Sequence, residues 1–159
     1  MQWKAMTPVE VWEIVDFWAG VPWPVTRAEA HLLAIDRFGW EVEVENGREY
    51  LVNSVAGLTP PDVSTVDAET LMSLDFWIAD MIREESAQSR ALLGDLFTLT
   101  VREGVSRHGR PSLERVRSGT DATWSLAGNC QVTVSLATKS TRVEFHTPQL
   151  VEFDLKEDR

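Results

Sequence analysis

The chain has 159 residues, of which 43% are hydrophobic and 25% charged, a balance typical of a globular protein with one hydrophobic core. We therefore predict a single domain over residues 1–159. The formal net charge of −10 at pH 7 argues against nucleic acid and anionic membranes as partners, because both are bound through surplus lysine and arginine.

The sequence lacks the usual signals of membrane insertion and secretion. No apolar run approaches the ~20 residues that a membrane span needs, and residues 1–6 lack the basic stretch and apolar core of a signal peptide. A single cysteine, Cys130, excludes an internal disulfide and a multi-cysteine zinc site. We expect a cytoplasmic protein.

Two helices are predicted near the start of the chain. Thr7–Glu10 is a capping box with proline at the first helical position, and apolar residues then recur at helical spacing until Gly20. A second capping box, Thr26–Glu29, begins a helix that ends at Gly39. The connection between the two helices holds Trp23 between two prolines, which indicates a rigid, non-helical segment.

The clearest strand signal lies at residues 40–52, which we call the acidic hairpin. Two alternating runs flank Asn46-Gly47, and this dipeptide favours a tight turn between antiparallel strands. Because side chains alternate along a strand, Trp40 and the valines of the first strand are predicted to face one side. The glutamates of that strand, Glu41, Glu43 and Glu45, are predicted to face the other side.

The middle of the chain is predicted to be a loop followed by helix. Glycine and proline mark residues 53–66 as a loop. From near Ala68, apolar residues follow a helical stripe that continues to about Val105, either as one helix or as two with a break near Gly94.

The last third is predicted to be β-structure. Alternating runs indicate strands at 123–126, 131–136, 142–146 and 151–155. We predict an α+β fold of two layers, an antiparallel sheet with one face covered by helices. The two halves also show a faint parallel, since each has a helix, a glycine and then tryptophan-containing strands.

The sequence offers no catalytic motif, and we predict no catalytic residue, metal site or cofactor. His31 is expected near the apolar stripe of its helix as a core or boundary histidine with satisfied hydrogen bonds, and His108 at a helix C-terminus, where the dipole favours it. Cys130 has no histidine near it in sequence to activate it. The arginine-rich stretch 102–117 has three alternative interpretations: docking an acidic group, pairing with the acidic first half, or solvation.

The net charge is unevenly distributed along the chain. Residues 1–80 hold four basic against fourteen acidic residues, whereas residues 81–159 are balanced. A one-sided field favours a basic partner. We predict a partner-binding site in the acidic hairpin with Trp23 or Trp40 as an anchor, and its charged residues are Glu41, Glu43, Glu45 and Glu49.

Short motifs support a family resemblance that covers most of the chain. They are Phe38-Gly39-Trp40, Asn46-Gly47, Gly57-Leu58 and the tryptophan Trp124 before the alternating run Val132–Leu136. With these motifs the chain resembles small acidic actinobacterial proteins grouped as domains of unknown function, several of which are suspected immunity partners of secreted polymorphic toxins. The order of helices and strands also resembles the chaperones of bacterial secretion systems. Both resemblances imply stoichiometric protein binding.

Three hypotheses follow. The first is an immunity protein that neutralises a basic toxin domain, such as a nuclease. The alternative is a secretion-system-type chaperone that binds an effector segment. The third is an enzyme whose site is assembled from distant residues such as His108, Cys130 and His146.

Overall fold

The computed structural model describes residues 3–117 and 119–157. Over these residues the chain forms four helices and one eight-stranded antiparallel sheet, which confirms the predicted α+β class. The helices are α1 (Pro8–Ala19), α2 (Arg27–Phe38), α3 (Ala87–His108) and α4 (Pro148–Glu157). The strands are β1 (Glu41–Glu45), β2 (Arg48–Val52), β3 (Asp62–Asp67), β4 (Leu71–Trp77), β5 (Ser112–Val116), β6 (Gly119–Ser125), β7 (Gln131–Ala137) and β8 (Thr141–His146).

Both capping boxes predicted near the N-terminus are present. The Thr7 and Thr26 hydroxyls accept hydrogen bonds from the backbone N–H groups of Glu10 and Glu29, and each glutamate accepts one in return. These contacts satisfy N–H groups that the first helical turn leaves without partners. Gly39 ends α2 with φ of +72°, a left-handed conformation in which glycine carries no steric penalty.

The predicted hairpin at 40–52 also forms. Asn46 and Gly47 have φ of +54° and +77°, the two positive values that a tight turn between antiparallel strands requires. The register pairs Glu41 with Val52 and Glu45 with Arg48. This local turn therefore fixes the faces on which the glutamates lie.

The sheet is built from two successive meanders. Strands β1 to β4 follow one another as neighbours, and so do β5 to β8. The meanders meet through their last strands, giving the order β1-β2-β3-β4-β8-β7-β6-β5. Helix α2 precedes the first meander, and helix α3 precedes the second. Each half of the chain thus has a helix followed by strands, as the sequence indicated.

The sequence-based prediction of a loop at 53–66 followed by a helix from near Ala68 is wrong for residues 62–86, while the predicted helix is confirmed from residue 87 to about residue 105. Residues 62–67 form β3 and residues 71–77 form β4, and α3 begins only at Ala87 and continues unbroken to His108. The segment 71–78 fits both periods, since its apolar residues recur at helical spacing and also alternate. Strand β4 is a central strand, and both of its faces are partly covered. Its sequence is therefore an almost continuous run of apolar residues.

The strand predicted at 151–155 is also wrong, because this segment belongs to α4. Thr147 begins the helix: its hydroxyl accepts a hydrogen bond from Leu150 N and its carbonyl accepts one from Val151 N. The same hydroxyl donates to the backbone carbonyls of Leu71 and Met72, and this bond holds the helix start against β4. No residue of α4 is fully buried.

Helices α1 and α3 cover the apolar face of the sheet. Trp12 of α1 donates from Nε1 to the carbonyl of Thr100 in α3 at 2.8 Å and packs edge-on against Trp124 of β6. Gly104 of α3 lies against these two rings, where a side chain would not fit. Close packing of α3 on the sheet thus depends on a glycine facing two tryptophans.

Among the described residues, no helix combines the length and the hydropathy needed to cross a bilayer.

Gly104→Ala is expected to destabilise the protein by about 1–3 kcal/mol, although alanine is normally the better helix former. A Cβ at this position would lie 2.7 Å from Cζ2 of Trp124 and 2.9 Å from Cε2 of Trp12. The matched control is Gly94→Ala in the same helix, where a Cβ meets no atom within 4 Å and stability should rise by about 0.5–1 kcal/mol. Urea denaturation measures both changes, and equal signs would contradict the packing at Gly104.

Candidate functional site

The acidic hairpin is the outer edge of the sheet, since β1 pairs only with β2 among the described strands. Glu41, Glu43 and Glu45 lie on the face opposite the helices, as predicted, and all three are exposed. The valine side of the strand is less covered than expected, because Val44 is 69% exposed. The tip of the hairpin therefore extends beyond the helical layer.

The glutamates of the hairpin have few protein partners. Across the described residues, Glu41, Glu43 and Glu45 make no ion pair within 4 Å. Glu49 lies on the other face, with its Oε2 atom 3.9 Å from Nδ1 of His31. The hairpin thus presents uncompensated negative charge to solvent.

His31 lies beneath this hairpin in α2 and is 4% exposed, as expected for a core histidine. The expectation of satisfied hydrogen bonds is wrong, because neither ring nitrogen has a hydrogen-bond partner among the described residues. Burial lowers the pKa of His31, with a smaller contribution in the same direction from Arg27.

The two tryptophans predicted as anchors do not project from the surface. Trp40 is 3% exposed and stacks on Phe38 with ring centroids 4.9 Å apart, so its ring belongs to the core. Trp23 is half-buried, packs against Phe145 and donates from Nε1 to the carbonyl of Trp18 at 2.8 Å. An aromatic anchor at the hairpin has to come from Tyr50, which is 44% exposed.

The arginine-rich stretch 102–117 lies at the opposite edge of the sheet, at the end of α3 and in β5. Arg107 pairs with Asp16 of α1 at 2.9 Å and with Glu103 at 3.4 Å. His108 also contacts Asp16, at 2.7 Å. Pairing with the acidic first half therefore occurs through Asp16 and does not involve the hairpin.

A second cluster lies where β4 meets β8, at the centre of the sheet face opposite α1 and α3, which we call the open face. The register places Asp75 opposite Glu144, with Arg142 and His146 two residues to either side of Glu144. Arg142 donates from Nη2 to Glu144 at 2.6 Å, and His146 Nε2 lies 3.7 Å from the same carboxylate. Two carboxylates thus face each other across the central strand pair.

The environment shifts the pKa of each of these acids and of the histidine. Burial, and then the neighbouring Glu144, raise the pKa of Asp75 to about 6. His146 lowers the pKa of Glu144, and Glu144 in turn raises the pKa of His146. The Oδ1 atom of Asp75 is buried and has no hydrogen-bond partner within residues 3–117 and 119–157. The protonation states of Asp75, Glu144 and His146 therefore depend on one another and on burial in the sheet.

Sequence reasoning missed this cluster because it predicted a helix from near Ala68, and a helix would not pair Asp75 with a neighbouring strand. The signal that identifies it is the alternation of Leu74, Phe76 and Ile78 with polar or half-buried residues. Alternation with a period of two puts Asp75 on the face opposite these apolar side chains.

The residues suggested for a dispersed enzyme site do not come together. Cys130 lies in the hydrophobic core, and burial raises the pKa of its thiol to about 11. His146 lies on the open face of the sheet, and His108 at the end of α3 bonds to Asp16. Within residues 3–117 and 119–157, no group of three or more His, Cys, Asp or Glu side chains is placed to hold a metal ion.

Asp75→Asn is expected to stabilise the protein near pH 7.5 by about 1–2 kcal/mol, because one pKa unit corresponds to about 1.4 kcal/mol and part of the carboxyl is solvated. The pKa of the folded state is raised, from 3.8 to about 6, so the contribution of Asp75 to stability falls as pH rises through this interval. The asparagine variant should therefore differ little from the natural protein near pH 4.

Urea denaturation at the two pH values measures this effect. Asp95→Asn on the exposed face of α3 is the matched control and should change stability little at either pH. Destabilisation by Asp75→Asn at pH 7.5 would show that the ionised carboxylate makes a necessary contact.

Comparison with known proteins gives one match. A family model described as a family of unknown function, DUF6301, matches residues 9–147. The match includes all of the sheet, α2, α3 and all but the first residue of α1. No curated protein and no solved structure shows significant similarity to the chain. The expected resemblance to a family of unknown function is thereby supported, and this match carries no link to immunity proteins or to actinobacteria. The chain belongs to the DUF6301 family.

Proposed function

We propose that the chain is a non-catalytic protein-binding protein, and within this class an immunity protein that neutralises a basic toxin domain. The observation that carries the proposal is the acidic hairpin, an exposed edge of the sheet with four glutamates and one arginine. A basic domain docked there would supply the positive charges that the fold does not.

Electrostatics supports this assignment. Glutamates at alternate positions of one strand lie about 7 Å apart on one face, and like charges at this spacing repel. Lysine, threonine or glutamine would satisfy an exposed strand without that repulsion. A concentrated negative field instead accelerates association with a positively charged partner, and salt screens it.

The hairpin also offers contact area besides charge. Val44 and Tyr50 are exposed on opposite faces near its tip. Tyrosine is enriched at protein interfaces because a rigid, amphipathic ring buries a large area at low entropic cost. Tyr50 replaces Trp40 and Trp23 as the expected anchor.

A secretion-system-type chaperone is the alternative, and the two open edges of the sheet at β1 and β5 favour it. Such edges bind extended segments by adding a strand. Affinity for an unfolded effector segment, with none for a folded basic domain, would identify the chaperone.

The triple variant Glu41→Gln, Glu43→Gln and Glu45→Gln tests the proposed function. Its partner would be the C-terminal domain of a toxin-like protein encoded beside this chain's gene. Stopped-flow measurements at low salt should show association slowed by about tenfold or more, with a weaker dependence on salt. The dissociation rate should change less.

A control with the same charge change separates local from global electrostatics. Glu84→Gln, Asp95→Asn and Glu114→Gln replace exposed acids away from the hairpin and should slow association far less. Equal effects of the two triple variants, or an association rate that ignores salt, would contradict the role of the hairpin. Failure of the chain to protect cells that express the basic domain would contradict the immunity function itself.

A further inference from the structure

Over most of its length, strand β2 of the acidic hairpin does not pair with the neighbouring strand β3. Strand β2 pairs with β3 only at Leu51↔Val63 and Val52↔Asp62, whereas β3 pairs with β4 from Val63 to Asp67. In the described range 3–117, residues 48–50 of β2 and residues 64–67 of β3 have no partner across this gap. The two strands therefore diverge toward the tip and leave what we call the β2–β3 cleft.

The β2–β3 cleft is large, and its lining carries more negative than positive charge. It encloses about 720 Å³, within the range of ligand-binding clefts. Its carboxylates come from both sides, and Arg27 and Arg48 oppose them. The acidic residues in the lining are Glu43, Glu45, Glu49 and Asp62. A bound group that carries two positive charges would compensate this excess.

The walls of the cleft are strand edges, which determines the shape of an occupant. Backbone N–H and C=O groups of an unpaired strand edge are ready to form a ladder with an extended chain. Alternate side chains of that chain would lie on the two faces of the sheet. On the open face they would meet Tyr50 and Trp77, and on the helical face Glu49 and Thr65.

A second observation points to the same place from below. His31 is only 4% exposed, and its Nδ1 atom is directed toward Glu49 in the cleft wall. Within the part of the chain that the structure describes, neither ring nitrogen has a hydrogen-bond partner. An imidazole left unsatisfied beneath an acidic wall is unusual, because buried polar groups normally find partners.

We propose that the β2–β3 cleft binds an extended, basic segment of the partner protein, which adds a strand between β2 and β3. This inference rests on the proposed function and specifies its partner: the basic domain presents a chain segment in which basic and apolar residues alternate. The charged hairpin attracts the segment, and the strand edges then fix its register.

A disulfide that closes the cleft provides the direct test. Continuing the observed register places Tyr50 opposite Ser64, so Tyr50→Cys with Ser64→Cys should tie the strands together on oxidation. The probe is a labelled peptide of about ten residues in which lysine and valine alternate. Fluorescence anisotropy should show affinity at least about tenfold lower for the oxidised variant, with recovery after reduction.

Two matched peptides define the recognition. A glutamate–valine peptide should not bind, because the cleft is acidic. A lysine–valine peptide with alternate backbone nitrogens methylated on its bonding edge should bind about tenfold more weakly, since it cannot complete the ladder. Equal affinity of the oxidised and reduced protein for the lysine–valine peptide would overturn the inference.

Hydrogen exchange tests the natural chain without any substitution. The peptide should protect backbone amides of residues 48–50 and 64–66. Protection of residues 41–45 alone would place the peptide on the outer edge of β1 and overturn the inference. If the same amides became protected on raising the protein concentration without peptide, the cleft would bind a second copy of the chain. This result would also overturn the inference.

The whole basic domain distinguishes this inference from the proposed function. If oxidation leaves the Kd of the cysteine variant for that domain unchanged while the hairpin glutamine variant binds the domain weakly, the cleft is not the site and the proposed function stands. If oxidation has no effect and the hairpin glutamine variant binds the domain as the natural chain does, the proposed function fails as well.

Discussion

The antiparallel pairing of β4 with β8 joins two four-stranded meanders into one sheet, and the remaining structure depends on it. On one face this pairing brings together Leu74, Phe76, Val143 and Phe145, which are all buried under the helices. The same register forces Asp75 to lie opposite Glu144 on the other face. The apolar core and the carboxylate pair are therefore two consequences of one strand pairing, because side chains alternate with a period of two.

The sheet also determines how the charges act. Its order places the acidic hairpin and the arginine-rich strand β5 at opposite edges, seven strand spacings or roughly 30 Å apart. Charges at that separation are screened, since the Debye length is about 8 Å at physiological salt. The arginines therefore leave the field of the hairpin intact. Glutamates on β1 also discourage pairing of this edge with a second copy, while a basic strand remains acceptable.

Local sequence was sufficient for those elements whose signals lie within a few residues. The capping boxes at Thr7 and Thr26 specify helix starts because the bonds they form span three residues. The hairpin follows from Asn46-Gly47, whose positive φ values suit a tight turn. Because the predicted hairpin also specifies the face on which its glutamates lie, the sequence alone located the acidic surface.

Tertiary structure decided everything that depends on neighbours distant in the chain. The segment 71–77 fits helix and strand equally, and only its position between β3 and β8 makes it a strand. Residues 151–155 alternate like a strand but form a helix, since Thr147 both caps the segment and bonds to β4. The burial of Trp40, the pairing of Asp75 with Glu144 and the β2–β3 cleft arise in the same way. A sequence pattern records the period of a segment, whereas the identity of the strand beside it is fixed only when the whole sheet assembles.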